Sequence, residues 1–238
     1  MDIELQKENE LIDQMFKVGA HYGFGKSRRH PSASSFIFGI KNRVEIFDLE
    51  KTSILLERAK IFAKELGKGG KTLLFVGSKH EAQDAIEKAA KRLSMPFVFN
   101  RWIGGTLTNF SVIRGRVEKL HKLLSEKEKG EHSKYTKKER ILIDREVERL
   151  EKLFGGISNM AAKPHALFVV DPKHESTAIA EAKKTGIPVI SLLGSDCDKG
   201  SIEYPIFGND SSKSSISFFA EQVAESYESG KTATTNNS

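Results

Sequence analysis

Thr72-Leu-Leu-Phe-Val76, followed by Gly77-Ser-Lys-His80, a helix-forming run over 79–93 and then Phe97-Val-Phe99, is the stretch on which the fold turns. A short continuous apolar run that ends at a glycine reads as a strand buried on both faces. Strand, helix and strand in succession imply a parallel sheet covered by helices on both sides. A helix over 50–66 precedes this unit. The rhythm resumes with a strand over 167–170, a helix over 175–184, a strand over 188–193 and a last helix over 212–228.

Between the two halves lies a charged, helix-forming tract. In it Ile113, Val117, Leu120 and Leu124 recur at spacings of four, three and four, and Ile143, Val147, Leu150 and Phe154 repeat the pattern. Two such seams separated by a polar segment around Gly130 predict an antiparallel helical hairpin packed as a coiled coil. Upstream, apolar residues at helical spacing predict a helix over 4–18. A basic, glycine-bearing loop follows over 19–35, then a hairpin of Phe36–Ile40 and Val44–Phe47 around Lys41-Asn42-Arg43. The expected organisation is an α/β domain begun by 1–105, interrupted by the hairpin over 106–156 and completed by 157–229. A disordered tail is expected over 230–238, which holds almost nothing to bury.

The 238 residues are 38% hydrophobic and 29% charged, enough for one core with an appendage. Cys197 is the single cysteine and no basic-then-apolar leader opens the sequence, so a reducing, cytoplasmic compartment is expected. No apolar run approaches the ~20 residues that span a bilayer. Lysine and arginine outnumber acids 38 to 32, for a formal charge of +6 and a pI near 9.2. That bias favours polyanions through counterion release, yet many enzymes share it.

Two stretches suggest phosphate chemistry. Ala20-His-Tyr-Gly-Phe-Gly25-Lys26-Ser27 meets a relaxed phosphate-loop pattern, but it follows an amphipathic helix and runs into Arg28-Arg29-His30-Pro31, which does not begin the required helix. Gly77-Ser-Lys-His80 joins a strand to a helix, where anions are favoured; a tight turn is its simpler role, with Lys79 free to meet an RNA phosphate. Lys26, Arg28, Arg29 and His30 lie in the basic loop with Tyr22 and Phe24 interleaved, and Lys41 and Arg43 follow beyond it near the hairpin, a mixture suited to phosphates and exposed bases. Arg101-Trp102-Ile103-Gly104-Gly105-Thr-Leu-Thr-Asn109 leads into the helical tract. Trp102 reads as a plug at the junction, Gly104-Gly105 and Gly155-Gly156 as turns at its base, and Arg101 as a cation in need of an acidic or phosphate partner. The seven histidines show no metal-ligand spacing, and Asp196 and Asp198 beside Cys197 disfavour a reactive thiolate. Asp171 and Asp196, which follow strands, read as turn or capping groups. No catalytic set, metal or cofactor is expected.

The ordered set Gly19-Ala-His-Tyr-Gly23, Phe36-Ile-Phe-Gly39, Asp48-Leu-Glu-Lys-Thr52, Leu74-Phe-Val-Gly77, Asn100 to Asn109, Gly155-Gly-Ile157, Ala166 to Pro172, Gly186-Ile-Pro188, Tyr204-Pro-Ile206 and Gly208-Asn-Asp210 resembles the second-protein family of the bacterial small ribosomal subunit. The resemblance implies a flavodoxin-like three-layer αβα domain with an inserted hairpin, bound to small-subunit rRNA and to neighbouring proteins including the large messenger-binding one. It implies no enzyme activity, membrane or small-molecule substrate. The expected RNA contacts are Lys26, Arg28, Arg29, His30, Lys41, Arg43, Lys79 and Arg101. The chain departs from the family's usual residues at Phe24, over 29–32, at Gly194 and at Phe207, so contacts in those loops do not transfer directly. A nucleotide-dependent enzyme and a free RNA-binding regulator are the rival readings.

Overall fold

The protein, in a computed structural model, is described over residues 2–130 and 135–235. In chain order the helices and strands are α1 (Asp2–Lys17), β1 (Tyr22–Gly25), β2 (Ile37–Lys41), β3 (Val44–Phe47), α2 (Leu49–Lys68), β4 (Leu73–Val76), α3 (His80–Leu93), β5 (Phe97–Val98), α4 (Phe110–Glu128), α5 (Lys137–Phe154), β6 (Ala166–Val170), α6 (Ser176–Thr185), β7 (Val189–Leu193), β8 (Tyr204–Phe207) and α7 (Lys213–Thr235).

The apolar runs form one five-stranded parallel sheet in the order β5-β4-β6-β7-β8. Counted within the sheet, this is the order 2-1-3-4-5 of flavodoxin-like folds. β4, β6 and β7 are buried along their whole length, and alternate residues feed two separate cores. Leu73, Phe75, Phe168, Ile190 and Leu192 pack with α2, α3 and α7 through Leu56, Ile86, Phe219 and Val223. Leu74, Val76, Leu167, Val169 and Val189 face the other way, onto Ala178 and Ala182 of α6 and onto residues of α4 and α5. The two-residue period of a strand therefore sets the layers. β8 was not anticipated from sequence because Pro205 interrupts its apolar run; as the edge strand it tolerates the missing N–H.

In α4 and α5, Ile113, Val117, Leu120, Val147, Leu150 and Phe154 are buried in one cluster. Lys119 reaches Glu146 at 3.0 Å and Lys127 reaches Asp144 at 2.7 Å. α5 opens with a capping box between Thr136 and Glu139, and Gly156 passes so close to the Phe97 carbonyl that a Cβ would collide with it. Gly130 takes φ +70° at the end of α4.

α7 continues to Thr235, so helix stands where the sequence suggested a structureless tail; residues 236–238 lie outside the described residues. The reason is backbone proximity. Gly230 faces the Lys64 carbonyl and Gly67 the Tyr227 carbonyl, each with no room for a Cβ, so two glycines let α2 and α7 touch main chain to main chain. Among the described residues no helix is long and apolar enough to cross a membrane.

A second, antiparallel sheet of order β1-β3-β2 is built from the N-terminal segment. Its β2–β3 turn puts Asn42 at φ 51° and Arg43 at φ 66°, the left-handed pair that a two-residue hairpin requires. β1 lies inside what the sequence suggested was a loop. Two glycines in four residues hide its strand character, and tertiary contacts supply the rest: the Phe24 N–H donates to Ser195 Oγ at 2.9 Å and the His30 N–H to the Ser195 carbonyl at 2.8 Å. Phe36 stacks on Phe207 at 4.5 Å, fastening this sheet to the carboxyl end of the parallel one.

Candidate nucleic-acid interface

Open parallel sheets usually bind ligands beyond the carboxyl ends of their strands. Here that crevice is filled from within. Gly77 makes the tight turn after β4, where a Cβ would strike Ile86. The Ser78 N–H and hydroxyl both donate to the buried Glu175 carboxylate, at 2.7 and 2.5 Å, so the anion-binding position ahead of α3 already holds an anion.

Lys79 turns inward beside it. Its ammonium donates to Asp171 Oδ2 at 3.3 Å and to the Asp210 carbonyl at 3.1 Å, and lies 3.8 Å from Asp210 Oδ2. Burial works against its charge, but Asp210 and Asp171 outweigh it and raise its pKa above the ordinary value. Asp210 is pushed up to about 6, mainly by burial, against the pull of Lys79. Asp171, Cys197 and Asp210 bring potential ligand atoms within 4.8 Å of one another, but the lysine already serves this group as its cation. Burial, then Asp171, Asp210 and Asp196, push the Cys197 thiol far up, leaving it protonated and inert. The Lys79 ammonium, expected from sequence to meet an RNA phosphate, is thus turned toward carboxylates of its own chain.

The N-terminal sheet lies over this crevice, with Phe24 within 6.0 Å of the Lys79 ammonium, and carries its charge on the outside. Lys26, Arg28, Lys41 and Arg43 are exposed, and none has a carboxylate at ion-pair distance among the described residues. Arg28 stands 5.4 Å over the Phe24 ring. Arg29 differs from its neighbour: its Nη1 lies 3.3 Å from Glu45 Oε1, and Glu45 is fully buried with neither oxygen hydrogen-bonded. That charge is met by a carboxylate inside the protein. His30 is also partly committed, capping the turn over Pro31–Phe36 through Ser32. Gly25-Lys26-Ser27 ends a strand and enters a three-residue 3-10 turn over Lys26–Arg28, not the long helix a phosphate loop opens.

Between Asp13 and Glu45 the chain holds six cations, Lys17, Lys26, Arg28, Arg29, Lys41 and Arg43, and no carboxylate. Elsewhere lysines and arginines equal acids, so the entire +6 resides in this segment. Lys17 was missed from sequence; the acid-free window was the signal that would have found it.

The junction residues converge on an acid that sequence reasoning also missed. Glu181 of α6 is buried, and its carboxylate accepts from Trp102 Nε1 at 3.1 Å, Gly105 N at 2.7 Å, Leu107 N at 2.9 Å, and Thr108 N and Oγ1 at 3.1 Å each. Burial raises its pKa, but the backbone donors of Leu107, Gly105 and Thr108, with Trp102, overcome this and hold it below the usual carboxylate value. Trp102 is buried, and Gly105 takes φ +94° so that its N–H can reach Glu181. Gly104 is exposed, Gly155 starts a single 3-10 turn over Gly155–Ile157, and Asn109 precedes α4 without a side-chain capping bond. Asn100 ties the same loop to the end of α5, donating to the Lys152 carbonyl at 2.9 Å. Arg101 is exposed, with no acidic partner among the described residues.

A family model described as ribosomal protein S2 matches residues 15–230. The small ribosomal subunit protein uS2 of Dictyoglomus thermophilum is 42% identical over 221 residues, covering 93% of this chain and 90% of that protein. That of Dictyoglomus turgidum is 41% identical with the same coverage. That of Coprothermobacter proteolyticus is 40% identical over 220 residues, 92% of this chain and 82% of that protein.

Proposed function

Because the chain belongs to the ribosomal protein S2 family, whose members are structural and not enzymatic, we propose that it holds small-subunit rRNA on the outer surface of its N-terminal sheet. The observation that carries this reading is the acid-free segment: exposed Lys26, Arg28, Lys41 and Arg43 with no carboxylate at ion-pair distance among the described residues. Phosphate contacts of this kind position a protein on RNA without reading sequence. Arg101, exposed at the loop before α4, is a separate contact.

In this reading α4 and α5 form an antiparallel hairpin inserted into the α/β domain over 106–156, presented to neighbouring small-subunit proteins, the large messenger-binding one among them. The descending order of the Lys119–Glu146 and Lys127–Asp144 pairs and the shared buried seam support it. Such surface pairs are worth only ~0.2–1 kcal/mol each, so the seam supplies most of the stability. Leu150→Ala is expected to cost about 2–5 kcal/mol, read as a lowered melting temperature; an unchanged melt would remove the hairpin reading.

Sedimentation of lysate through a magnesium-containing gradient, with this chain followed by mass spectrometry, tests the assignment. Near-stoichiometric migration with small-subunit rRNA is expected. A chain left at the top of the gradient would revive the free-regulator reading.

A further inference from the structure

The N-terminal sheet carries a feature that phosphate binding does not use. His21 stacks on Phe16 with ring centroids 4.5 Å apart and planes 11° apart, and leans on Tyr22 at 4.1 Å and 40°. His21 is only 8% exposed and its Nδ1 has no hydrogen-bond partner among the described residues, whereas Phe16 is 61% exposed and Tyr22 49%. The core has no need of either outer ring: from this part of the chain Met15 and Ala20 enter it, with Leu11, Ile12 and Val18 packed against it. Three rings are thus held together with aromatic surface left open to solvent.

We propose that Phe16, His21 and Tyr22 form a stacking platform for an unpaired nucleobase of the RNA strand whose phosphates the neighbouring cations hold. The inference rests on the RNA-binding reading above and adds to it a base contact. The charges around the platform decide between RNA and a protein side chain. Lys17 adjoins Phe16 in sequence and is exposed, and Lys41 lies close enough for its charge to act on His21. No carboxylate occurs between Asp13 and Glu45. An apolar protein segment would gain nothing from these ammonium groups, whereas a nucleotide offers a π-face to the rings and a phosphate to the lysines. Burial first, and then Lys41, hold His21 below its ordinary pKa, so the central ring is neutral at pH 7 and does not compete for the phosphate.

The test uses the full chain and two probes of equal length and phosphate count, an oligoadenylate and an abasic ribose-phosphate oligomer, in fluorescence-anisotropy titrations. The wild-type protein should prefer the oligoadenylate roughly 5- to 150-fold for one stacked base. Phe16→Leu and Tyr22→Leu, conservative changes at exposed positions, should each reduce that preference while leaving the salt dependence untouched. Equal binding of the two oligomers by the wild type, or a preference retained in both variants, would overturn the platform while leaving RNA binding intact. So would variants that bind RNA normally but lose association with other small-subunit proteins, since the rings would then serve a protein. Failure to bind either oligomer would sink the RNA reading itself, and the platform with it.

Discussion

The carboxyl edge of the parallel sheet and the outer surface of the N-terminal sheet lie close together, separated by little more than the Phe24 ring, and they treat charge in opposite ways. At the edge, Lys79 meets Asp171 and Asp210, Ser78 meets Glu175, and Lys173 meets Asp196 at 2.8 Å. Each of these charges has a partner inside the protein. In the N-terminal segment the six cations from Lys17 to Arg43 have one carboxylate at ion-pair distance among the described residues, Glu45, which is given to Arg29. The general rule for open α/β sheets points to the first region as the binding site. The difference teaches that a fold's customary crevice can be consumed in holding the fold together, which in the proposed reading leaves binding to the element that covers it. A cation already paired with a buried carboxylate has little left to offer an RNA phosphate.

This contrast can be broken most forcefully at Lys79. Lys79→Met strands Asp171 and Asp210 without their cation and is expected to lower stability by about 3–5 kcal/mol in urea denaturation. The salt dependence of RNA binding should not move. A stable variant with a reduced salt slope would place Lys79 on the RNA after all and erase the distinction between the two regions.

Asp210 offers a subtler handle. Its native pKa, near 6, lies above the ordinary 3.8, so the native state binds the extra proton between those values. Its contribution is therefore fully present below about pH 4 and is lost as pH rises through 6. Over that interval the loss amounts to about 2–3 kcal/mol. Asp210→Asn should flatten this part of the stability profile, leaving the variant relatively more stable at pH 8 than at pH 4. A profile of unchanged slope would mean that Lys79 compensates the buried carboxylate more fully than its 3.8 Å separation suggests.

The smallest effects separate two adjacent arginines. Arg28→Gln and Lys41→Gln should each lower the slope of log affinity against log salt by about one, with no change in base preference and little change in stability. Arg29→Gln should leave that slope alone and destabilise the fold, because Glu45 would remain buried and unpaired. Equal slopes for Arg28→Gln and wild type would remove Arg28 from the interface.

Strand and helix positions in the α/β part were legible because β4, β6 and β7 are buried on both faces and must be continuously apolar. The seams of α4 and α5 were legible for a related reason, since helical spacing alone puts Ile113, Val117 and Leu120 on one side. β1 and β8 were not, because glycines and Pro205 give no strand signal and edge pairing made them strands. The basic character of the N-terminal segment was readable, but which of its cations remain free was not. Arg28 and Arg29 are adjacent and chemically identical, and only the position of Glu45 across the sheet distinguishes them.

By itself, then, the sequence determined the parallel sheet, its two helical layers, the helical tract between Asn109 and Gly155 and the concentration of positive charge near the N-terminus. Each of these follows from local composition and periodicity. Only the tertiary structure decided which charges cancel: Lys79 finds Asp171 and Asp210 from 92 and 131 residues away, and Glu181 gathers the Trp102 loop from more than 70. Partners that distant leave no trace in local spacing, because they are brought together by burial of the apolar runs that separate them, and the desolvation they suffer there is what makes the pairing obligatory.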